Sequence, residues 1–274
     1  MRYLGISKPN DYSTSLMFAA GEKNEDSFID VLQAADCGEI LTQSEAATKW
    51  EVAYAEPNGE LKIDVTGSPD IVVRREGKLD FGVELKLICS YWTARDVGPY
   101  AKRQPKLSHL AQALHYMWQL GKSQGQEYLP YYLTYVNRMN WMTMGYKDFP
   151  EEHPSLSFNE KGKPYKMSPF YSHYELKIGK DEMLYYRHTE GNDWQRTALD
   201  VAGIKEYYKL LAECLYKKVL PPRMDAVDTA GFAMTYDPYS PTYNPWAELH
   251  DRYDQGSLDF DGFVGAAKQM EDES

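Results

Sequence analysis

Two short segments of the chain contain two acidic residues and a lysine whose spacing could bring them together in one site. The first is Gly67–Asp70, with the sequence Gly-Ser-Pro-Asp, and the second is Glu84-Leu85-Lys86. Residues Phe81–Cys89 have the composition of a β-strand, along which successive side chains point to opposite faces. Glu84 and Lys86 are therefore expected to share one face, with the apolar side chains on the other.

The apolar surroundings of Glu84 predict that its charge is paired or bound to a cation. Charged groups are costly to bury unless they have a partner or a metal. If the segment after Pro69 pairs beside the Glu84 strand, Asp70 comes to lie next to Glu84. Two carboxylates and the backbone carbonyl of Leu85 would then form a hard oxygen site suited to Mg²⁺ or Mn²⁺.

Such a site predicts hydrolysis of a phosphate ester. A bound divalent cation neutralises phosphate charge, orients a water or lowers its pKa, and stabilises the leaving oxygen. Lys86 could position that water or stabilise the charge of the pentacovalent phosphate. The ordinary alternative is a solvated ion pair on a strand beside a common turn. The two segments together, at a spacing that fits one hairpin and with apolar flanks, favour the metal site.

A predicted helix over residues 106–121 carries a further polar pair. Gln112 and Tyr116 stand at positions i and i+4, so they share a helix face that differs from the apolar face. By itself, a polar helix face lying over a sheet would account for this pair. Its position after the Glu-x-Lys strand favours a functional role.

These segments, in this order, resemble the RecB-type branch of the PD-(D/E)-x-K nucleases over about residues 13–220. That branch includes the RecB nuclease domain, CRISPR-associated and mitochondrial single-strand exonucleases, and phage enzymes akin to lambda exonuclease. The resemblance implies an α/β fold with a restriction-endonuclease-like core, a mixed central sheet flanked by helices. It also implies a metal-dependent DNA exonuclease whose catalytic residues are Asp70, Glu84, Lys86, Gln112 and Tyr116.

The resemblance further implies a metal-binding acid or histidine on an N-terminal helix, several residues after a glycine. Glu25 is the best match, and Glu22 and Asp26 are its rivals. The alternative is a charged, solvated helix face. The four-cysteine cluster of some members is missing, so no iron–sulfur centre is expected.

A basic and aromatic segment connects Lys86 to Gln112. Cations next to aromatic rings suit a single-stranded nucleic acid, whose phosphates meet the cations and whose bases stack on the rings. A solvated surface with a few core aromatics is the alternative. The candidate nucleic-acid-binding residues are Tyr91, Trp92, Arg95, Lys102, Arg103 and Lys106. Arg138 and Arg187 are weaker candidates, and His153, His173 and His188 lack a zinc-ligand spacing.

The net charge of −11 at first argues against a nucleic-acid partner. Residues 225–274 contain 11 acidic and 2 basic residues, a net of −9, which leaves −2 for residues 1–224. The main body is therefore close to neutral. The sequence contains no apolar run long enough for a membrane span and no secretory signal, and its three cysteines form no disulfide framework. We expect an intracellular protein without membrane association.

The sequence predicts a nuclease domain over residues 1–224 and an acidic arm or tail over 225–274. Helices are expected at 13–35, 43–49, 106–121 and 199–219, with only a weak helical pattern near 263–270. Strands are expected at 50–55, 61–66, 70–75 and 81–89, which we expect to pair side by side, and at 131–136, 141–146, 171–178 and 183–188. The tail could dock on a protein partner or a second subunit, or be solubilising disorder.

The main functional expectation is a Mg²⁺- or Mn²⁺-dependent exonuclease acting on single-stranded DNA or DNA ends. One alternative keeps the chemistry and predicts an endonuclease of the restriction or junction-resolving type, against which the Gln112 and Tyr116 helix argues. A second alternative is a nucleic-acid-binding or assembly protein without cleavage. The complete set of Asp70, Glu84 and Lys86 argues against this alternative, because a protein without catalysis would keep costly buried charges that have no function.

Overall fold

The structure is a computed structural model that describes residues 12–56, 59–88, 97, 104–137, 171–189, 191, 193–221 and 247–272. Its helices are α1 (Tyr12–Ala34), α2 (Leu107–Ser123), α3 (Val201–Lys217), α4 (Ala247–Asp254) and α5 (Phe260–Asp272). Its strands are β1 (Glu39–Thr42), β2 (Thr48–Glu56), β3 (Gly59–Gly67), β4 (Ile71–Arg75), β5 (Lys78–Ile88), β6 (Tyr131–Asn137), β7 (Tyr171–Ile178), β8 (Met183–His188) and β9 (Gln195–Asp200).

The described strands form a large mixed sheet in the order β1-β4-β5-β6-β7-β8-β9. Only the β5–β6 pair is parallel among these pairings. Parallel neighbours need a crossover rather than a tight turn, and α2 lies in that crossover. The fold is therefore mixed α/β, with a large mixed central sheet flanked by helices, as the sequence predicted.

One face of the sheet packs against α1. Phe28 of α1 lies in a buried cluster with side chains from β4, β5 and β6, including Val83 and Leu85. Strand alternation sends Glu84 and Lys86 to the opposite face, which α2 covers. There the ring of Tyr116 lies 6.4 Å from the ring of Tyr131, measured between centroids.

The surroundings of β4 differ from the prediction. Segment 61–66 was expected beside the Glu84 strand, but β3 pairs with β2 in a separate two-stranded sheet. Strand β1 instead pairs with β4, with Ile40 opposite Val73. This short edge strand was missed because four residues between a helix and a turn carry little periodicity. Where a helix over 43–49 was predicted, a 3-10 turn at Gln43–Ala46 is followed by β2.

Other elements match the predictions with shifted ends. Helix α1 is continuous through Gly21, and α2 extends past Gly121, where the sequence predicted its end. Strand β6 pairs with β5 and β7. The predicted strand at 141–146 lies outside the described residues. Strand β9 was not predicted, because its Gln-Arg-Thr-Ala-Leu-Asp sequence alternates only weakly.

The described part of the acidic tail contains two helices, and α5 includes residues 263–270, where the sequence has a weak helical pattern. Leu249 of α4 packs with Phe263 and Ala267 of α5 in a small buried cluster. Three apolar residues spaced over two short helices give too weak a pattern to outweigh the surrounding acidic composition. The domain boundary at residue 224 stays a prediction.

The described chain divides into two compact units. One contains residues 20–48 and 66–201, and it holds the large sheet and every candidate site residue described below. The other takes in residues 49–65 and 202–274 together with the start of the chain, and in it Val52, Val65 and Ala212 form a core. Among the described residues, none of the helices combines the length and apolarity needed to span a membrane.

Candidate active site

Asp70 and Glu84 meet where β4 begins beside β5. The antiparallel register places Ile71 opposite Val83, so the next step along both strands places Asp70 opposite Glu84. The Asp70 Oδ2 atom accepts a hydrogen bond of 2.7 Å from the backbone N–H of Leu85. The two carboxyl groups are close enough to share a hydrogen bond when one is protonated. The structure thus brings Asp70 and Glu84 together on neighbouring strands. That the two carboxylates share one cation stays a prediction.

Lys86 lies beside Glu84 on the same face of β5. Its Nζ donates a hydrogen bond of 2.5 Å to Glu84 Oε1, and the Glu84 side chain is 0% exposed while that of Lys86 is 21% exposed. Burial lowers the pKa of Lys86, but the charges of Glu84 and Asp70 raise it, and the net effect is a raised pKa. Lys86 therefore stays cationic at neutral pH.

One oxygen of Glu84 has no hydrogen-bond partner among the described residues. Its Oε2 atom is buried and makes no hydrogen bond within the described part of the chain. An unpaired, buried carboxylate oxygen is costly, and it is well suited to a cation. Mg²⁺ is often held by one or two carboxylates together with waters and substrate phosphates. Asp70 and Glu84, with the Leu85 carbonyl, are thus a donor set that fits Mg²⁺ or Mn²⁺.

Burial disfavours the charged form of both acids of this pair in the metal-free protein. Burial raises the pKa of Glu84 to about 8, with Lys86 opposing and Asp70 reinforcing the shift. Burial also raises the pKa of Asp70, against the lowering effects of Lys86 and of the Leu85 N–H. Carboxyls with such raised pKa values in one place are typical of functional sites.

Glu25 is the acid of α1 that approaches this pair. Burial and the charge of Asp70 raise its pKa, and Gln43 Nε2 donates to its Oε2 at 3.5 Å. Its rivals Glu22 and Asp26 are exposed. Among the described residues, no three His, Cys, Asp or Glu side chains form a group that could hold a metal by themselves. Glu25 therefore lies near the acidic pair, and its role as a metal ligand stays a prediction.

Gln112 and Tyr116 lie over the site as a connected pair. Gln112 Nε2 donates to the Tyr116 hydroxyl at 3.5 Å, and that hydroxyl donates to the Ser68 carbonyl at 3.3 Å. Burial raises the pKa of Tyr116, and the charges of Glu84 and Asp70 act in the same direction. Tyr116 thus ties α2 to the turn that carries Asp70.

Gly67 makes room for this connection. A Cβ atom at Gly67 would lie 2.5 Å from Tyr116 Cε1 and 3.2 Å from Thr48 Oγ1. The aromatic ring is rigid and buried, so it could not yield by a small torsion. A glycine at this position is what allows the ring to reach the turn before Asp70.

We expect Gly67→Ala to displace the Tyr116 ring and loosen the turn that holds Asp70. Overpacking of this kind lowers the free energy of unfolding by roughly 1–3 kcal/mol. Urea denaturation would measure it. Gly21→Ala is the control, because a Cβ there meets nothing within 4 Å. Equal stability of the Gly67→Ala variant and the unsubstituted protein would show that the close contact has no role.

Two further residues lie near the site: Tyr131, which the sequence did not predict there, and His109, which belongs to the basic segment between Lys86 and Gln112. Tyr131 is 1% exposed, and its hydroxyl is close to Glu84. His109 Nδ1 lies 3.0 Å from the Tyr135 hydroxyl, and burial together with the charges of Lys86 and Lys106 lowers the pKa of His109 to about 3. Alternation along β6 groups Tyr131 with Tyr135, but only the register with β5 reveals which face they occupy.

The predicted nucleic-acid-binding segment is described only at Lys106. The Lys106 side chain is exposed, and its backbone N–H donates to the Tyr135 hydroxyl at 3.0 Å. Outside the described residues lie Tyr91, Trp92, Arg95, Lys102, Arg103, Arg138 and His153. Arg187 is paired with Glu175 and lies over the Trp194 ring, so it is not a free phosphate ligand.

The remaining histidines of the prediction have local polar partners. His173 Nδ1 lies 3.0 Å from Thr134 Oγ1, and His188 Nε2 lies 2.9 Å from Ser172 Oγ. The two histidines lie on adjacent antiparallel strands of the large sheet. These contacts are those of structural histidines within the sheet.

Comparisons with known proteins name no family for this chain. No family model matches it, and no curated protein matches it. A solved structure described as the crystal structure of SSO0001 is 20% identical over 46% of this chain and 52% of that one, with a TM-score of 0.29. The chain thus spans about half of that protein's length. A likeness of this degree supports no conclusion about fold or activity.

Proposed function

We propose that this chain is a metal-dependent DNA nuclease of the RecB-type branch of the PD-(D/E)-x-K superfamily, with a restriction-endonuclease-like core. Its proposed reaction is hydrolysis of phosphodiester bonds in single-stranded DNA or at DNA ends. The observation that carries the proposal is the buried pair of Asp70 and Glu84 on one sheet face, beside Lys86 and beneath the helix of Gln112 and Tyr116. The order helix, strands, helix and parallel strand agrees with the resemblance found in the sequence.

Asp70 and Glu84 would hold Mg²⁺ or Mn²⁺, which when bound neutralises phosphate charge and lowers the pKa of a coordinated water. The chain's own residues supply the rest of the site. The Leu85 N–H fixes the orientation of the Asp70 carboxyl, and Lys86 fixes one oxygen of Glu84. Held in this way, neither carboxyl needs to reorganise when substrate arrives.

Lys86 provides a fixed positive charge at the edge of the acidic pair. Its side chain is partly exposed, so it can reach a phosphate while it keeps its bond to Glu84. A cation preorganised in a shielded site stabilises negative charge that develops on the reacting phosphate. Lys86 thus acts as an electrostatic group, because its raised pKa makes it a poor base.

End-labelled DNA distinguishes this function from its alternatives. With Mg²⁺ or Mn²⁺, we expect the protein to degrade linear single strands and to leave closed single-stranded circles intact. A chelator should stop the reaction, and restored metal should restart it. Cutting of closed circles would favour the endonuclease, and binding without any product would favour the non-catalytic protein. Gln112→Ala is expected to slow degradation less than a change at Asp70 or Glu84.

A further inference from the structure

Tyr131 brings a hydroxyl to the acidic pair from a strand that carries no part of the sequence motifs. Its side chain is 1% exposed, and its ring lies 6.4 Å from the Tyr116 ring that covers the site. Burial, and then the charges of Glu84 and Asp70, raise the pKa of its hydroxyl. Within the described residues, neither the hydroxyl nor Glu84 Oε2 has a partner in hydrogen-bonding geometry. The structure therefore leaves a buried donor and a buried acceptor unsatisfied on the same face of the sheet.

The chain also makes space for this ring. Tyr131 lies opposite Gly82 in the parallel register of β5 and β6. A Cβ at Gly82 would lie 2.1 Å from Tyr131 Cε2, so any larger residue would push the ring away. The missing side chain at Gly82 therefore lets the Tyr131 ring lie over β5, two residues before Glu84 on the same face of that strand.

A phenylalanine would fill the same slot without burying a hydroxyl. Leaving a buried hydroxyl without a hydrogen bond costs on the order of 1–3 kcal/mol. Packing of the ring alone therefore does not explain why this residue is a tyrosine. Glu84 is the acceptor within its reach. A carboxylate offers about four lone-pair sites, so Glu84 can accept from Lys86 and Tyr131 and still bind a cation.

We propose that Tyr131 is a positioning residue whose hydroxyl donates to Glu84 and orients that carboxylate for the divalent cation. The inference rests on the proposed function, since it gives a supporting partner to one of the proposed metal ligands. Carboxylates that bind metals are themselves commonly held by hydrogen bonds, and removing such a partner weakens metal affinity or activity by about 10–100-fold.

Titration of the full chain with Mn²⁺, followed by electron paramagnetic resonance of the free ion, tests this without using DNA. Tyr131→Phe should raise the Kd for Mn²⁺ by roughly 10–100-fold. Tyr174→Phe is the matched control, because Tyr174 is equally buried and its hydroxyl donates to the Val97 carbonyl. Its Kd should stay within about twofold of the unsubstituted value.

Gly82→Ala provides a second variant that displaces the hydroxyl without removing it, and the same weakening is expected. In steady-state assays, Tyr131→Phe should lower kcat at a fixed subsaturating Mn²⁺ concentration and leave KM for DNA unchanged. An unchanged Mn²⁺ Kd in either folded variant would overturn the inference and leave the proposed function standing. Absence of Mn²⁺ binding by the unsubstituted protein would overturn both.

Discussion

Replacing Glu84 with glutamine is expected to abolish metal-dependent DNA hydrolysis while the fold is retained. Glutamine keeps the size of the side chain but removes the negative charge that would hold the cation beside Asp70. A loss of several kcal/mol of transition-state stabilisation corresponds to a rate reduction of roughly 1,000-fold or more. Single-turnover degradation of a labelled single strand with Mg²⁺ measures the effect.

Glu175→Gln is a matched control for that experiment. Glu175 is also a sheet carboxylate paired with a basic side chain, Arg187, but it lies on β7, away from the acidic pair. Its substitution should leave the rate within about twofold of the unsubstituted value, because this half-buried ion pair on β7 takes no part in the proposed metal site. Full activity of the Glu84→Gln protein would refute the assignment of Glu84.

The metal-free protein is expected to lose stability as the pH rises from about 5 to about 8. The pKa of Glu84 is raised from its ordinary 4.5 to about 8 in the folded state. Within this window the folded protein retains a proton that the unfolded chain has released, so rising pH favours unfolding. The raised pKa values of Asp70 and Glu25 act in the same direction. The expected decrease in the free energy of unfolding is roughly 2–5 kcal/mol.

Urea denaturation with chelator present, at the two ends of this pH range, measures the decrease. Glu84→Gln should have a much smaller dependence on pH, and it should be more stable than the unsubstituted protein at the alkaline end. Saturating Mn²⁺ should stabilise the unsubstituted protein more at high pH than at low pH, because the cation competes with protons for the carboxylates. A stability that is independent of pH would mean that Glu84 ionises freely in the folded state.

Much of the local arrangement around the acidic pair follows from sequence pattern. Alternation along one strand was sufficient to place Glu84 and Lys86 on the same face. The spacing of Gln112 and Tyr116 was sufficient to place them on one side of α2. These are properties of a single element, so they need no knowledge of how the elements pair.

The missed features depend on contacts between distant segments. Tyr131 is near Glu84 only because β6 pairs with β5 in one particular parallel register, which no local pattern specifies. The segment of β3 was expected in the same sheet as β4 and β5, but β3 pairs with β2 in a separate sheet. The edge position beside β4 is occupied by β1. The need for glycine at positions 67 and 82 likewise follows only from the tertiary contacts, which place the rings of Tyr116 and Tyr131 against them.

Anomalous diffraction from crystals grown with Mn²⁺ tests the central claim most directly. The account predicts one ion in contact with oxygen atoms from both Asp70 and Glu84, with Lys86 adjacent and not coordinated. An ion bound elsewhere, or carboxyls that separate so that they cannot share one ion, would contradict it.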